Sequence, residues 1–563
     1  MKKYRGIIAA LIVLLQPLHL AGQKQYTSYK ELSAEINQLG KLYPGLCAVK
    51  SLARTGSGKD VWLISIGSEP RDSKPGVAIV GGVDGSYLLG RELAVGFAER
   101  ILKNATEKNV KELLDKLTFY VLPDVSPDES DQYFSKPQYE RSLNSRSVDD
   151  DRDFKADEDP CEDLNNDGFI SLIRIKDPAG KYIESEEDNR IMVEADISKG
   201  QTGEYLVYTE GIDNDKDGSF NEDGPGGVSF NRNFTFNYEE FGKGSGLYPV
   251  SEPESGAVAD FLFDRFNVYA VFTFGPQDNL GQPVKASERQ TTGPGPSQPQ
   301  GQQQGPPQGP PQGQMIRERS IITAILKSDE PVNKLVSDKY HEITRLKGSP
   351  VSVTSPGNFA DWAYFHYGRY SFTTPGWWYP VEKGKNAEAA FLKYAEKNEM
   401  KDAFIPWTEI SHPDFPEKKT EVGGLKPFVI HNPPADSLES IISNHYRFIT
   451  EVASMHPDLE FLDVKVENAG ENIFRLTLKV HNKGIFATCA EIGDQFIWTR
   501  IMRITLDPSG NQKIESGQKV QRIQRLLGDE TAEFTWLISG RGSVQVTAGA
   551  ANVGIITTRV DLK

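Results

Sequence analysis

Two short acidic stretches have the spacing of calcium-binding loops. In each, oxygen-bearing side chains stand at alternate positions, and a glycine, Gly168 or Gly218, follows the third of them. Calcium prefers oxygen ligands, and the glycine permits the sharp turn that brings them together. Neither stretch has the glutamate at the twelfth position that completes an EF-hand, so we expect simpler calcium loops. The alternative is a disordered acidic surface. The candidate ligands are Asp163, Asn165, Asp167, Asp213, Asp215, Asp217, Asn221 and Asp223.

The segments that must position such residues alternate between strand-like and helix-like patterns. Short apolar runs predict strands, and apolar residues at helical spacing predict helices. Ser251 and Glu254 have the spacing of a capping box at the start of one helix. The alternation predicts an α/β fold built in layers. The predicted strands are residues 61–66, 77–83, 117–122 and 268–274, and the predicted helices are residues 29–42, 90–102, 252–266 and 434–455.

Two other parts of the chain break this alternation. Residues 281–314 contain GPGPSQPQGQQQGPPQGPPQGQ, a composition that cannot form a packed core and predicts a disordered or polyproline-like loop. From about Pro457 onward, strand-like runs are separated by turn residues, which predicts a small all-β sandwich as a C-terminal domain. These runs are residues 461–466, 474–480, 496–504, 534–537 and 544–546.

The N-terminus has the pattern of a signal peptide. Lys2, Lys3 and Arg5 precede a short apolar run that leads into small residues near position 22. The run is too short for a comfortable membrane span, and no later segment is apolar enough to form one. We therefore expect an exported protein, periplasmic or secreted, without a transmembrane anchor.

The net charge bears on nucleic-acid binding, and the cysteine content bears on disulfide bonding. The net charge of −16 argues against nucleic-acid binding, which needs a basic face. Cys47, Cys161 and Cys489 are an odd and sparse set, which does not make a disulfide framework in an exported protein. One disulfide or three free thiols remain open.

Six stretches, taken in order, resemble the zinc metallocarboxypeptidases of the carboxypeptidase A/B type. They fall between Tyr26 and Phe448, and their order and spacing are more specific than any one of them alone. The resemblance implies a mixed β-sheet sandwiched by helices, in agreement with the alternation described above. The stretches are YTSYKELSAEINQLGKLYPGLCAVKSLARTGSGKDVWLISIG, GVAIVGGVDGSYLLGREL, VLPDVSPDE, GVSFNRNF, SEPESGAVADFL and DWAYFHYGRYSFTTPGWW.

The positions that do the chemistry in this family are occupied by other residues here. The family holds zinc with a His-x-x-Glu pair and a second His, and a Glu serves as the general base. In this chain Asp84 and Tyr87 stand at the positions of the pair. Gly275 stands at the position of the second His, and Pro375 at that of the base. The resemblance therefore implies a degenerate site in which zinc is not expected.

A gap in the histidine distribution supports the same interpretation without any alignment. No histidine occurs between His19 and His341, although both zinc histidines would have to come from that interval.

The alternative to a lost metal site is a rebuilt oxygen site for a harder cation, made from Asp84, Asp124 and Asp278.

The carboxylate-binding residues of the family are better preserved. The family binds the terminal carboxylate of its substrate with an Asn-Arg pair, which Asn231 and Arg232 match. An arginine binds carboxylates through two parallel hydrogen bonds, so the residue type suits this role. Arg146, or else Arg141, matches a second family arginine. The alternative for Asn231 and Arg232 is that they only brace their loop.

These observations predict a non-catalytic relative of the zinc carboxypeptidases. We expect residues 23–455 to form the carboxypeptidase-like domain, with an acidic insert at 149–224, and residues 456–563 to form the β-sandwich. We expect it to bind a peptide or another carboxylate-bearing ligand at the cell envelope, with calcium as its metal. Two alternatives are an active metallocarboxypeptidase with a rebuilt metal site and a structural or assembly protein, with a protein partner, that acts through the β-domain.

Overall fold

The computed structural model describes residues 25–149, 154–216, 218–221, 224, 226–286, 322–351 and 353–563. The predicted signal peptide lies outside the described residues. So do most of the predicted Pro/Gln/Gly loop and two of the candidate calcium ligands, Asp217 and Asp223.

The N-terminal part, up to about residue 455, alternates strands and helices as the sequence predicts. Its helices are α1 (Tyr29–Leu42), α2 (Leu89–Lys103), α3 (Lys108–Lys116), α4 (Pro127–Ser130), α5 (Pro253–Asp264), α6 (Glu330–Thr344), α7 (Phe359–Phe365), α8 (Ala387–Lys397) and α9 (Leu438–Ser454). Its strands are β1 (Cys47–Arg54), β2 (Asp60–Ile66), β3 (Gly76–Val80), β4 (Thr118–Leu122), β5 (Leu172–Lys176), β6 (Tyr182–Glu184), β7 (Met192–Glu194), β8 (Tyr205–Thr209), β9 (Val268–Phe274), β10 (Tyr370–Thr374), β11 (Phe404–Ile410) and β12 (Thr420–Leu425).

A mixed six-stranded sheet forms the centre of this part. Its strand order is β1-β2-β4-β3-β9-β10, in which β3 runs parallel to β4 and β9, and β1, β2 and β4 pair in antiparallel fashion. Strands β3, β4, β9 and β10 are buried along their whole length, which is typical of parallel strands covered on both faces. Apolar residues of α1, α2, α5, α6 and α9 belong to the same core. The predicted mixed sheet packed between helices is confirmed.

A second six-stranded sheet was not predicted. Its order is β11-β12-β5-β8-β6-β7, and all its pairs are antiparallel. Four of its strands come from the acidic insert, and β11 and β12 come from a segment about two hundred residues further on. Ile173, Ile175 and Val422 form a small core of their own on one face.

The C-terminal part is all-β, as predicted. Two antiparallel four-stranded sheets, of order β13-β14-β18-β16 and β17-β15-β19-β20, share one hydrophobic core. The strands are β13 (Leu459–Gly470), β14 (Ile473–Asn482), β15 (Arg503–Asp507), β16 (Lys513–Ser516), β17 (Val520–Arg522), β18 (Glu530–Ser539), β19 (Gly542–Ala550) and β20 (Gly554–Leu562).

The junction between the two parts is formed by residues 483–502, which follow β14. Phe486, Ala490 and Ile492 are buried in the core of the α/β part rather than in that of the sandwich. The predicted strand at 496–504 is therefore wrong over its first residues, and the strand begins only at Arg503. Trp498 explains why, because its ring packs 4.3 Å from that of Phe263 and its segment serves the junction.

The capping box predicted at Ser251 and Glu254 is also wrong. Helix α5 begins at Pro253 with Glu252 at its N-cap, and no side chain caps it. Ser251 instead donates a hydrogen bond to Glu252 Oε1 (2.7 Å), and Glu254 accepts one from Asn144 (2.9 Å). The Asn144 amide also donates to Glu252 (3.0 Å), so both glutamates accept a hydrogen bond from a residue about one hundred positions away.

Two further findings concern the membrane and the cysteines. Among the described residues, none of the helices combines the length and the apolar character needed to cross a bilayer. Cys47, Cys161 and Cys489 are all free thiols, so the open question about their pairing resolves in favour of three unpaired cysteines.

Candidate functional site

Asp84 lies in the loop that follows β3, where the family resemblance places a zinc ligand. Its Oδ1 atom accepts hydrogen bonds from the Ser142 hydroxyl and from the backbone N–H of Ser86 (3.0 Å). Burial raises the pKa of Asp84, although both hydrogen bonds oppose this. The carboxyl group is therefore held by two neighbours of its own chain.

Tyr87, at the second ligand position, is an aromatic packing residue. It is 9% exposed, and its ring stacks on that of His431 at a centroid distance of 4.5 Å. Burial, together with the nearby Asp84 and Glu140, raises the pKa of the phenol above its ordinary value. A protonated phenol is a poor zinc ligand, so this position contributes no metal-binding group.

Gly275 stands where the resemblance places the second histidine, and the Val83 side chain occupies the space beside it. It directly follows β9, and a Cβ added to Gly275 would collide with Cγ2 of Val83. Val83 is fully buried in the main core. The volume into which a ligand at position 275 would project is thus filled by an apolar side chain.

Pro375, at the position of the general base, follows directly after β10. The preceding residue, Thr374, accepts a hydrogen bond from the Gly275 N–H (3.1 Å) through its carbonyl group. Proline carries neither a proton acceptor nor a ligand in its side chain. The residues at the four family positions therefore do not fit a zinc ion, and no catalytic step can be derived through one.

The alternative oxygen site is not assembled either. Asp124 is paired with Arg91 (3.4 Å) and accepts from Ser130 (2.6 Å), whereas Asp278 accepts the N–H groups of Gly281 and Gln282. Among the described residues, no three His, Cys, Asp or Glu side chains are grouped so that they could hold a metal ion.

Glu129 is a buried carboxyl group that the sequence reasoning did not single out. Its side chain accepts the backbone N–H groups of Gly85 (3.1 Å) and Phe230 (2.8 Å). It thereby ties the loop after β3 to the loop that carries Asn231. Burial, with Asp84 nearby, raises its pKa well above the ordinary value. In the resemblance, Glu129 ends the stretch SPDE where the family has glycine, and this departure marks the residue although it does not reveal its partners.

Glu140 and His431 are two further titratable residues of this region. Glu140 lies near enough to Asp84 to be affected by its charge, and His431 stacks on Tyr87. Glu140 accepts a hydrogen bond from the Phe428 N–H, and its Oε1 lies 3.9 Å from His431 Nε2. Burial raises the pKa of Glu140 to about 7 and lowers that of His431 to about 4. Both groups therefore favour their neutral forms relative to the same groups in water.

Asn231 and Arg232 lie in a single turn of 3-10 helix, and both are engaged within the chain. Asn231 is 2% exposed; its amide donates to Gln277 (2.9 Å) and accepts from the Phe359 N–H (3.1 Å). Arg232 forms an ion pair with Glu239 at 2.7 Å. The amide of Asn231 thus braces three loops, while Arg232 stays one-third exposed beside a surface carboxylate.

The two upstream arginines differ in how they are paired. Arg146 lies 2.7 Å from Glu252, which is 3% exposed, so its charge is already matched. Arg141 is half-buried and forms no hydrogen bond or ion pair with any residue that the structure describes. Burial lowers its pKa, and the electrostatic effects of Tyr139, Cys161, Asp157 and Glu129 oppose this.

The two candidate calcium loops have the same backbone arrangement. The first aspartate of each, Asp163 or Asp213, accepts the N–H of the glycine five residues on, at 2.8 Å and 3.0 Å. Gly168 and Gly218 both have positive φ, a conformation that glycine adopts without steric cost. Asn221 lies apart from this pattern, donating its amide to the Thr209 carbonyl (2.9 Å). Calcium binding remains a prediction, since the aspartates here turn inward to cap their own loops.

Family models match a segment in each of the two parts of the chain. The zinc carboxypeptidase family model matches residues 32–175, and a family described as a domain of unknown function (DUF8731) matches residues 458–561. Carboxypeptidase E of Caenorhabditis elegans is 26% identical over 139 residues, which are 23% of this chain and 29% of that protein. Carboxypeptidase D of Rattus norvegicus is 28% identical over 139 residues, 23% of this chain and 10% of that protein.

Two solved structures are similar at lower identity. Bovine thrombin-activatable fibrinolysis inhibitor, solved with tick carboxypeptidase inhibitor, has a TM-score of 0.40 at 15% identity, covering 76% of this chain and 97% of that one. Carboxypeptidase A from Helicoverpa armigera has a TM-score of 0.36 at 15% identity, covering 62% and 64%. The matched stretches span less than a third of the two curated relatives named above.

Proposed function

We propose that this chain, which carries a zinc carboxypeptidase-family domain, is a non-catalytic member that binds a peptide or another carboxylate-bearing ligand. The observation that carries the non-catalytic part is the Val83 side chain, which fills the space a ligand at position 275 would need. A neighbouring group can take the place of a lost ligand, but the space beside position 275 is already filled by Val83.

The other three positions support the same conclusion by different physical routes. Asp84 is held by Ser142 and Ser86, and Tyr87 is stacked and protonated. Pro375 has no group that accepts a proton. Metal-assisted hydrolysis needs both a water-activating ion and a base, and the described residues at these positions supply neither.

Arg141 supports the binding part of the proposal better than the Asn-Arg pair does. A half-buried guanidinium with no hydrogen-bonding partner among the described residues is costly for the folded protein, because those residues do not compensate its desolvation. A ligand carboxylate would supply two parallel charge-assisted hydrogen bonds. Arg232 would need to leave Glu239 first, and the Asn231 amide is already committed to Gln277 and Phe359.

The acidic groups nearby do not forbid an anionic ligand. Burial raises the pKa of Asp84 and Glu129, and raises that of Glu140 to about 7. In their protonated forms these groups are hydrogen-bond donors rather than repelling charges. We place the protein at the cell envelope because the N-terminal sequence has the pattern of an export signal.

The catalytic question is tested by metal content and hydrolysis. We expect elemental analysis of the purified protein to give no stoichiometric zinc, and we expect no chelator-sensitive release of C-terminal residues from peptides. Zinc at one per chain together with chelator-sensitive hydrolysis would establish the rebuilt-site alternative and overturn the proposal.

The binding question needs a probe pair that differs only in the carboxylate. An N-acetylated tripeptide with a free C-terminus and its C-terminal amide form such a pair, measured by isothermal titration calorimetry. We expect the free acid to bind more tightly, and Arg141→Gln to weaken it about tenfold, since charged hydrogen bonds contribute about 1.5–3 kcal/mol. Arg232→Gln is the matched control.

The outcomes separate the alternatives. Loss of binding in Arg232→Gln alone would assign recognition to the preserved Asn-Arg pair. Equal binding of the free acid and the amide by the wild-type protein would rule out recognition of a ligand carboxylate. In that case, capture of a protein partner by the C-terminal sandwich would be the remaining candidate.

A further inference from the structure

The second sheet carries a cavity of about 530 Å³ that no part of the proposed function uses. Its walls include the aromatic rings of Tyr182, Tyr208 and Trp407, the exposed apolar side chain of Leu172, and the carboxyl group of Glu388. A pocket with several aromatic rings and one acid is chemically unlike the acidic loop after β3. It lies on the sheet formed by the insert and by β11 and β12.

Trp407 is placed in this wall by an irregularity of the sheet. The register between β11 and β12 shifts between Ile405 and Thr408, which bulges Pro406 and Trp407 out of regular pairing. A Cβ at Gly423 would lie 2.8 Å from the Ile405 carbonyl and 2.9 Å from the Trp407 N atom. Only glycine therefore allows the bulge to approach so closely.

The indole ring is also held rigidly. Its Nε1 donates to the Arg190 carbonyl (2.9 Å), and the guanidinium of Arg174 lies 4.5 Å from its centre. Arg174 is in turn bound to Glu421 (2.9 Å) and Glu184 (3.2 Å). A ring fixed in this way loses little conformational entropy when a ligand packs against it.

The charges around the cavity are matched except for one. Arg190 is neutralised by Asp188 (2.6 Å) and Glu396 (2.7 Å). Glu388, in the first turn of α8, forms no hydrogen bond or ion pair with any residue that the structure describes. Glu388 lines the cavity while remaining exposed to solvent, so its carboxylate is accessible to a cation that enters from solvent.

We propose that this cavity is a binding site for an organic cation, with the aromatic rings of Tyr182 and Trp407 beside it and Glu388 as its counter-ion. Aromatic faces attract ammonium and guanidinium groups. The cation is the side-chain group of a lysine or arginine in a peptide, or a free quaternary ammonium compound. The site does not depend on carboxylate binding at Arg141.

The test uses probes that carry no carboxylate, so that the two sites are not confused. Nα-acetyl-lysine methylamide, Nα-acetyl-arginine methylamide, tetramethylammonium and the neutral Nα-acetyl-norleucine methylamide are titrated into the full chain by calorimetry. We expect at least one cation to bind at least about fivefold more tightly than the norleucine probe. Glu388→Gln should weaken that cation by about fivefold, while Glu382→Gln, an exposed acid on the preceding loop, should not.

A second variant guards against an indirect effect of the charge change. Tyr182→Leu keeps Glu388 and removes one ring, and it should weaken the cation while leaving the norleucine probe nearly unchanged. Preference for the lysine or arginine probe would assign the site to a peptide side chain, and preference for tetramethylammonium to a quaternary amine. Equal binding of neutral and cationic probes, or no effect of Glu388→Gln, would overturn the proposal.

Discussion

The side chain of Val83 occupies the space in front of Gly275, so that a Cβ at position 275 would collide with Cγ2 of the valine. The two residues come from the loops that follow two neighbouring parallel strands, β3 and β9. In the carboxypeptidase resemblance, position 275 belongs to a metal ligand. In this chain the packing of the two loops fills the space beside that position.

This relationship predicts that Gly275→Ala destabilises the protein by about 1–3 kcal/mol, the usual cost of forcing extra volume into a packed core. Val83→Ala should recover part of that loss in the double variant, because it empties the same space. Urea denaturation measures both values. Gly45→Ala, where no atom lies within 4 Å of the added Cβ, is the control and should change stability little. Equal stability of Gly275→Ala and wild type would contradict the packing.

The raised pKa of Glu140 predicts a pH-dependent stability. Its folded pKa of about 7 exceeds that of the unfolded chain, so the folded state binds the additional proton. Stability contributed by the neutral form is present below about pH 4.5 and is lost as pH rises through 7. Glu140→Gln cannot ionise. The melting temperature of this variant minus that of wild type should therefore increase from pH 5 to pH 8. The exposed Glu399→Gln should run parallel to wild type, and a parallel course for Glu140→Gln would refute the shift.

Arg525 predicts how strongly the two parts of the chain are coupled. It lies in the sandwich and forms an ion pair with Asp329 of the α/β part at 3.0 Å, where Asp329 is 3% exposed. Arg525→Met would leave that carboxylate buried with only its remaining hydrogen bonds, a loss of about 2–4 kcal/mol. We expect scanning calorimetry to show a lower transition than for Arg522→Met, which removes an exposed arginine nearby. Indistinguishable transitions for the two variants would show that the pair does not couple the parts.

The acidic loops predict a calcium-dependent gain in stability. A ligand that binds only the folded state stabilises it by about 1.4 kcal/mol at ten times its dissociation constant. We expect calcium, but not magnesium, to raise the melting temperature, because the larger ion tolerates irregular oxygen geometry. The double variant Asp163→Asn, Asp213→Asn should lose this response. An unchanged melting temperature in calcium would leave these aspartates as caps of their own loops.

The central sheet could be predicted from sequence because its signals are local. Strand β9 and helix α1 were predicted with the bounds they have, since a continuous apolar run and a helical apolar stripe each lie within one short segment. The second sheet was missed in part because some of its strands are very short, with three residues each in β6 and β7. Its pairing of β5 with β12, moreover, joins segments far apart in the chain, for which no local pattern exists.

Some residues of the candidate site could be predicted from local sequence patterns, and others could not. The replaced positions Asp84 and Gly275 were identifiable because each follows a recognisable strand. The role of Glu129 was not, because its partners Gly85 and Phe230 are 44 and 101 residues away. The pairing of Arg146 with Glu252 was hidden for the same reason. Side chains whose partners are set by tertiary packing leave no periodic signal in the sequence.

The junction segment after β14 determines whether this chain can be divided. The ring of Phe486 lies between those of Tyr269, Tyr370 and Phe372, 5.2–6.2 Å from each. A fragment ending near residue 456 would therefore leave an apolar cavity in the α/β part where Phe486 packs. The separated sandwich would expose the Phe486 side chain to water. The C-terminal domain is consequently not an interchangeable module. We expect a recombinant fragment of either part to aggregate. An exchange of this domain between proteins would have to transfer Phe486 together with the aromatic residues that surround it.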